Sequence, residues 1–118
     1  MSPRDIRKHL FDIVEACELL RRFTEGKSLA DYAADPLLRS AVERQFEIVG
    51  EALNQALRLD PELGSRIRDT ERIIAFRNRL IHGYASIADD VVWGVLEVNL
   101  PTLRREVDAL LPAADEGG

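Results

Sequence analysis

"DPLLRSAVERQFEIVGEALNQALRLD", residues 35–60, decides the fold. Asp35-Pro36 is a helix start: an aspartate side chain can accept from the orphan N–H groups of a first turn, and a proline there gives up an N–H that has no partner anyway. Leu38, Val42, Phe46, Val49, Leu53, Ala56 and Leu57 then recur three or four residues apart, while Glu43, Glu47, Glu51 and Asn54 form a polar stripe on another side. Apolar residues at that period make one face of a half-buried helix, ending near Leu59.

The same signals repeat outward. Ser2-Pro3 followed by Asp5 opens a first helix whose stripe is Ile6, Leu10, Ile13, Val14, Cys17 and Leu20, and Gly26 stops it. Residues 28–34 read as a short connection of about one turn. Asp60-Pro61 opens another turn that Gly64 closes, and a third long helix starts near Asp69 and ends around His82-Gly83, where glycine suits a positive φ. Ser86 with Asp89 reads as the cap of a fourth helix with Val91, Val92, Val95, Leu96, Leu100, Leu103, Val107 and Leu110 on its inner side; Pro101 should kink or break it. Nothing alternates like a strand and the links are short. The expected architecture is all-α: an antiparallel helical bundle of four long helices plus short connecting turns, one domain over residues 1–111, with residues 112–118 as a disordered tail.

A chain of 118 residues, 46% hydrophobic, closes one core and no more. No stretch approaches a membrane span and the N-terminus lacks the apolar run of a secretory signal, so a cytoplasmic protein is expected. One cysteine, Cys17, excludes an internal disulfide, and two distant histidines, His9 and His82, write no zinc spacing; no metal or cofactor is expected. The net charge of −5 argues against indiscriminate nucleic-acid binding, yet residues 64–84 hold five arginines against two acidic residues, a local +3. Charge alone makes that a solvated helix face as readily as a binding site.

Within that island lies "RNRLIHGY", residues 77–84. At about 100° per residue, Ile73, Ile74, Leu80, Ile81 and Tyr84 fall within roughly 60° of Arg77, so a guanidinium points along an apolar stripe. Burying it unpaired costs several kcal/mol (roughly 3–5 if a buried pair is broken), so it needs an internal carboxylate such as Glu47 or Glu51, an open cleft, or a second subunit. Asn78 and His82, four residues apart, lie side by side, with Arg68, Arg72 and Arg79 as a stripe beyond them. An imidazole that exchanges protons near neutral pH, a guanidinium that holds phosphate oxygens and an amide that orients either suit a phosphodiester. RNA supplies its own 2′-hydroxyl nucleophile, giving a 2′,3′-cyclic phosphate and a 5′-hydroxyl. One histidine per chain is one proton carrier where a base and an acid are wanted; a two-fold dimer with two His82 residues in one cleft would supply both. The plain reading of His82 is a cation at a helix C-terminus. His9 reads as solvated, Trp93 and Phe76 as core or dimer contacts, Cys17 as a small buried hydrophobe, and Gly50 as a close-packing position.

"RNRLIHGY" resembles the Arg-x(4-6)-His motif of HEPN-domain ribonucleases and, more narrowly, the Arg-x4-His-x-Tyr signature of the HepT toxins of HepT/MntA toxin–antitoxin modules. "AVERQFEIVGEALNQ" (residues 41–55) and "DDVVWGVLEVNLPTLRREV" (residues 89–107) are similar to that family's Gly-Glu-Ala helix and its closing helix; the three stretches cover about a third of the chain. The resemblance implies a homodimeric, metal-independent RNA endonuclease, the toxin of a type VII-like module, with its composite site in a cleft between protomers. Arg77 and His82 match the catalytic pair and Asn78 the polar position after the arginine; the stripe of Arg68, Arg72 and Arg79, read from the helical period and not from the resemblance, is the candidate RNA contact. Tyr84 matches the tyrosine that an MntA-like nucleotidyltransferase antitoxin modifies with AMP, adding negative charge and bulk at the cleft. Two other functions stay open: a non-catalytic HEPN subunit that binds a nucleotidyltransferase and nucleotide, and a structural bundle in which Arg77 is merely paired.

Overall fold

The computed structural model describes residues 3–82 and 87–117, with side chains described for 5–82 and 87–111. Its helices are α1 (Pro3–Thr24), α2 (Leu29–Ala34), α3 (Pro36–Leu59), a 3₁₀ turn (Pro61–Ser65), α4 (Thr70–His82), α5 (Asp89–Gly94), a π segment (Val95–Asn99) and α6 (Leu100–Gly117). There is no strand among the described residues. This is the expected all-α bundle: α1, α3, α4 and the run from α5 to α6 are the four long members. No described helix is long and apolar enough to cross a membrane.

The starts are built as their sequences require. Asp35 Oδ1 accepts from the N–H groups of Leu37 and Leu38 at 3.1 and 3.2 Å, with Pro36 next in line. Asp60 repeats this on Glu62, and Ser28 and Asp31 form a reciprocal capping box on α2. Gly26, at φ +73°, ends α1 in the left-handed region. The cap expected from Ser86 and Asp89 differs: Ser86 and Gly83 lie outside the described residues, and α5 begins after Ala88 with no side-chain capping bond.

α1 packs chiefly on α3 and α6, and α3 also packs on α4. Leu10, Ile13, Leu20, Val42, Val49, Leu53, Val92, Leu103 and Val107 fill the interior almost without exposure. The connections contribute more than expected: Tyr32 of α2 is fully buried against the Trp93 ring at 5.6 Å, and Leu63 and Ile67 are buried beside the 3₁₀ turn. The Tyr32 hydroxyl has no hydrogen-bond partner, and burial pushes its pKa up to about 12. Phe76 meets Phe46 edge-on at 5.2 Å and Cys17 is buried, its thiol pushed up to about 12 by desolvation.

The closing helix does not break at Pro101, which lies inside α6. It loosens one turn earlier into the π segment, where the Leu100 N–H reaches the Val95 carbonyl, five residues back. A proline ring inside an α-helix clashes with the carbonyl four residues before it; a wider turn just upstream accommodates this. The backbone of residues 112–117, expected as a tail outside the bundle, continues α6.

Candidate active site

Arg77 stands at the edge of the buried face of α4. On one side of it Ile73 and Phe76 are buried; on the other Ile81 is 46% exposed. Its aliphatic stem lies against α3 at Gly50, where a Cβ would fall 2.3 Å from Arg77 Cβ and 2.5 Å from Cγ. Only glycine leaves that space. The close-packing reading of Gly50 is therefore part of the site, because the backbone of α3 is what fixes the stem of Arg77.

The guanidinium is held by two acceptors. Nη1 donates to Asn78 Oδ1 at 2.7 Å, and Nη2 donates to Glu51 Oε2 on α3. Of the two internal carboxylates open to Arg77 from the sequence, Glu51 is the partner, while Glu47 pairs with Arg44 at 3.5 Å. Glu51 Oε1 accepts from Gln55 Nε2 at 3.0 Å; this bond, and then the positive charges of Arg77, Arg58 and His9, hold its carboxyl below the usual range. The pair is not sealed: the Arg77 side chain is 21% exposed and that of Glu51 48%. Arg77 Nε is buried without a partner. A guanidinium has five N–H donors, so one hydrogen on each η nitrogen remains after these two bonds.

Arg77 and Glu51 line a groove of about 500 Å³ between α1, α3 and α4. His9 of α1 lines it too and is half-buried, which corrects the expectation of a solvated residue. The helical period carried the signal: His9 precedes the buried residues Ile13, Ala16 and Leu20 by four, seven and eleven positions, so it continues their stripe.

The other expected residues are spread more widely. His82 is the last residue of α4 and is exposed, one turn beyond Asn78 on the same helix. Arg72 and Arg79 meet in a second groove of about 240 Å³ between α4 and α5, lined also by Phe76, Val91 and Asn99. Arg68 departs from that stripe: its backbone N–H donates to Glu106 Oε1 at 3.1 Å, and its Nε lies 3.7 Å from Oε2 of the same carboxylate, on α6. Tyr84 lies outside the described residues.

An all-α bundle that presents an arginine, the amide beside it and a histidine along its third long helix defines a HEPN-like domain. A family model described as ribonuclease HepT-like matches residues 13–110, and the chain belongs to that family. It is similar to a protein of Caldanaerobacter subterraneus subsp. tengcongensis provisionally named an RNase, with 31% identity over 93% of this chain and 95% of the other. A "Probable ribonuclease HepT" of Thermococcus cleftensis is 32% identical over 91% of this chain and 96% of its own length. In Methanocaldococcus jannaschii, a protein named for gamma-glutamylcyclotransferase and RNase functions is 27% identical over 96% of this chain and half of its own length. No solved structure matches the chain.

Proposed function

We propose that the chain is a metal-independent RNA endonuclease and the toxin of a toxin–antitoxin module, acting as a homodimer. What supports the reading most is the state of Arg77: its guanidinium is fixed at a groove wall by Glu51 and Asn78, yet keeps one further hydrogen on each η nitrogen. Those hydrogens can take two non-bridging oxygens of a phosphodiester and stabilise the charge that builds as the phosphorus becomes pentacoordinate.

His82 provides proton transfer. One His82 takes the 2′-hydroxyl proton, the 2′-oxygen bonds to phosphorus, the P–O5′ bond breaks, and the 5′-oxygen leaves with a proton from the second protomer's His82. The products are a 2′,3′-cyclic phosphate and a 5′-hydroxyl. Arg72 and Arg79 hold the RNA backbone beside the cleft, and Arg68 adds positive charge at its margin. Tyr84, two residues after His82, receives AMP from an MntA-like nucleotidyltransferase, and the added phosphate repels the RNA.

The test is incubation of the purified protein with total cellular RNA in EDTA, followed by mapping of the cut ends. The expected result is cleavage with cyclic phosphate ends that His82→Ala abolishes while circular dichroism and dimer mass stay unchanged. Cleavage by neither protein, from a folded dimer free of AMP, would instead favour a non-catalytic subunit that binds a nucleotidyltransferase.

A further inference from the structure

The groove beside Arg77 is lined by more than the site needs. Its α1 wall carries Lys8, His9 and Asp12; α3 contributes Arg44, Glu47 and Glu51; α4 contributes Arg77. Three fixed cations face three carboxylates, so their charges cancel. Histidine is the side chain whose charge changes near neutral pH, and His9, like Asp12, is half-buried on the α1 wall. When His9 is protonated the groove is net positive; when it is neutral the groove has no net charge.

The flanking cations are available to a ligand. Lys8 is 72% exposed and holds Asp12 at 3.1 Å, four residues on in the same helix; Arg44 is 67% exposed and holds Glu47 at 3.5 Å, three residues on. Exposed pairs of this kind contribute little to stability, so a phosphate can replace either carboxylate at little cost. A groove of about 500 Å³ is larger than one phosphodiester needs, and it runs from Arg77 toward α1.

We propose that the α1 wall of this groove, centred on His9 with Lys8 and Arg44 at its rim, is a second RNA-backbone subsite that binds the phosphate next to the one on Arg77. It rests on the reading of the chain as an RNA-cleaving enzyme. His9 donates an N–H to that phosphate when protonated, so the subsite tightens as pH falls. It also sets the direction of the strand: the RNA crosses α3 from the α4 motif toward the N-terminal helix, a segment that the motif itself does not include.

The experiment uses the full-length protein and a short 2′-O-methyl RNA, which cannot be cleaved because it has no free 2′-hydroxyl. Fluorescence anisotropy gives Kd at low salt at about pH 6 and about pH 8. The unaltered protein should bind more tightly at the lower pH. His9→Gln should weaken binding roughly tenfold at the lower pH, the loss of one charged hydrogen bond, and reduce the pH dependence to the part that His82 contributes, which a His82→Gln control measures. His9→Lys should bind tightly at both. If His9→Gln binds with the same Kd and pH profile as the unaltered protein, or if the unaltered protein does not bind the probe, the subsite does not exist. RNA cleavage in EDTA is measured separately. Cleavage with binding indifferent to His9 overturns the subsite alone, whereas His9-dependent binding without cleavage overturns the enzyme reading and leaves the subsite standing.

Discussion

Arg77 has a structural role and, under the proposed function, a chemical one, and its exposure separates them. A buried ion pair broken on one side costs about 3–5 kcal/mol, because a charge is left in a dry interior. Glu51 is half exposed and would simply hydrate. Arg77→Met should therefore lower stability by no more than about 1 kcal/mol by urea unfolding, while RNA cleavage falls by at least about a hundredfold. Gly50→Ala should do the reverse of a surface change: its methyl overlaps the Arg77 stem, forcing α3 and α4 apart and costing about 1–3 kcal/mol. A shift of the urea midpoint, with partial loss of cleavage, is the expected outcome. That Arg77 needs a carboxylate, an open cleft or a second subunit, with Glu51 as one of two candidate carboxylates, could be read from the helical wheel. His9 was harder, since it sits where the apolar stripe of α1 meets solvent and its neighbours Arg7 and Lys8 make it look wet.

The short elements carry more of the core than their lengths suggest. α2 has six residues, and it buries Tyr32 fully against Trp93 with its hydroxyl unpartnered among the described residues. Removing that oxygen removes a desolvation cost and keeps the ring, so Tyr32→Phe should be neutral or stabilising by up to about 1 kcal/mol in urea unfolding. α1 and α6 are joined by Glu18, which accepts from Arg21 on its own helix and from Arg104 across the interface. The Arg21 bond first, and then Arg104, hold the Glu18 carboxyl at about 2, against an ordinary 4.5. A carboxyl depressed by folding contributes stability at pH above its unfolded value and loses it as pH falls toward the folded one. Glu18→Gln should thus flatten the loss of thermal stability between about pH 4.5 and about pH 2, as read from melting curves across that range. Helix starts were legible because Asp-Pro fixes both a cap and a backbone angle. The π segment was not, since its cause, Pro101, lies outside it, and Tyr32 was hidden because a connection too short for a periodic pattern gives no face to read.

The whole molecule measures about 45 × 30 × 20 Å and leaves several large apolar side chains in water. Ile81 stands out among them because it shares the groove with Arg77. If the working unit is a dimer closed around that groove, Ile81→Asp should leave helicity unchanged and lower both dimer mass in sedimentation and RNA cleavage, in parallel. A loss of cleavage without dissociation would place Ile81 on the RNA rather than on a second copy. The bundle was legible at this scale because every long segment kept one period. The basic island was not one surface, because sequence proximity does not fix which neighbour an arginine finds: Arg77 faces α3, Arg72 and Arg79 face α5, and Arg68 is held by Glu106 of α6.

The wide turn at Val95–Asn99 also bears on how this chain can change in length. A π turn holds one more residue than an α turn in the same place, so it is a position where the helix can take up a single added residue. Val92 before it, Leu96 within it, and Leu100, Leu103 and Val107 after it all remain buried, so the wide turn leaves neither half of the helix turned away from the core. Dropping one residue from this turn would restore an unbroken α-helix, but would bring the ring of Pro101 against the carbonyl of the turn before it. Shortening the helix and replacing its proline are therefore one change rather than two, and relatives that lack the extra residue should lack the proline as well.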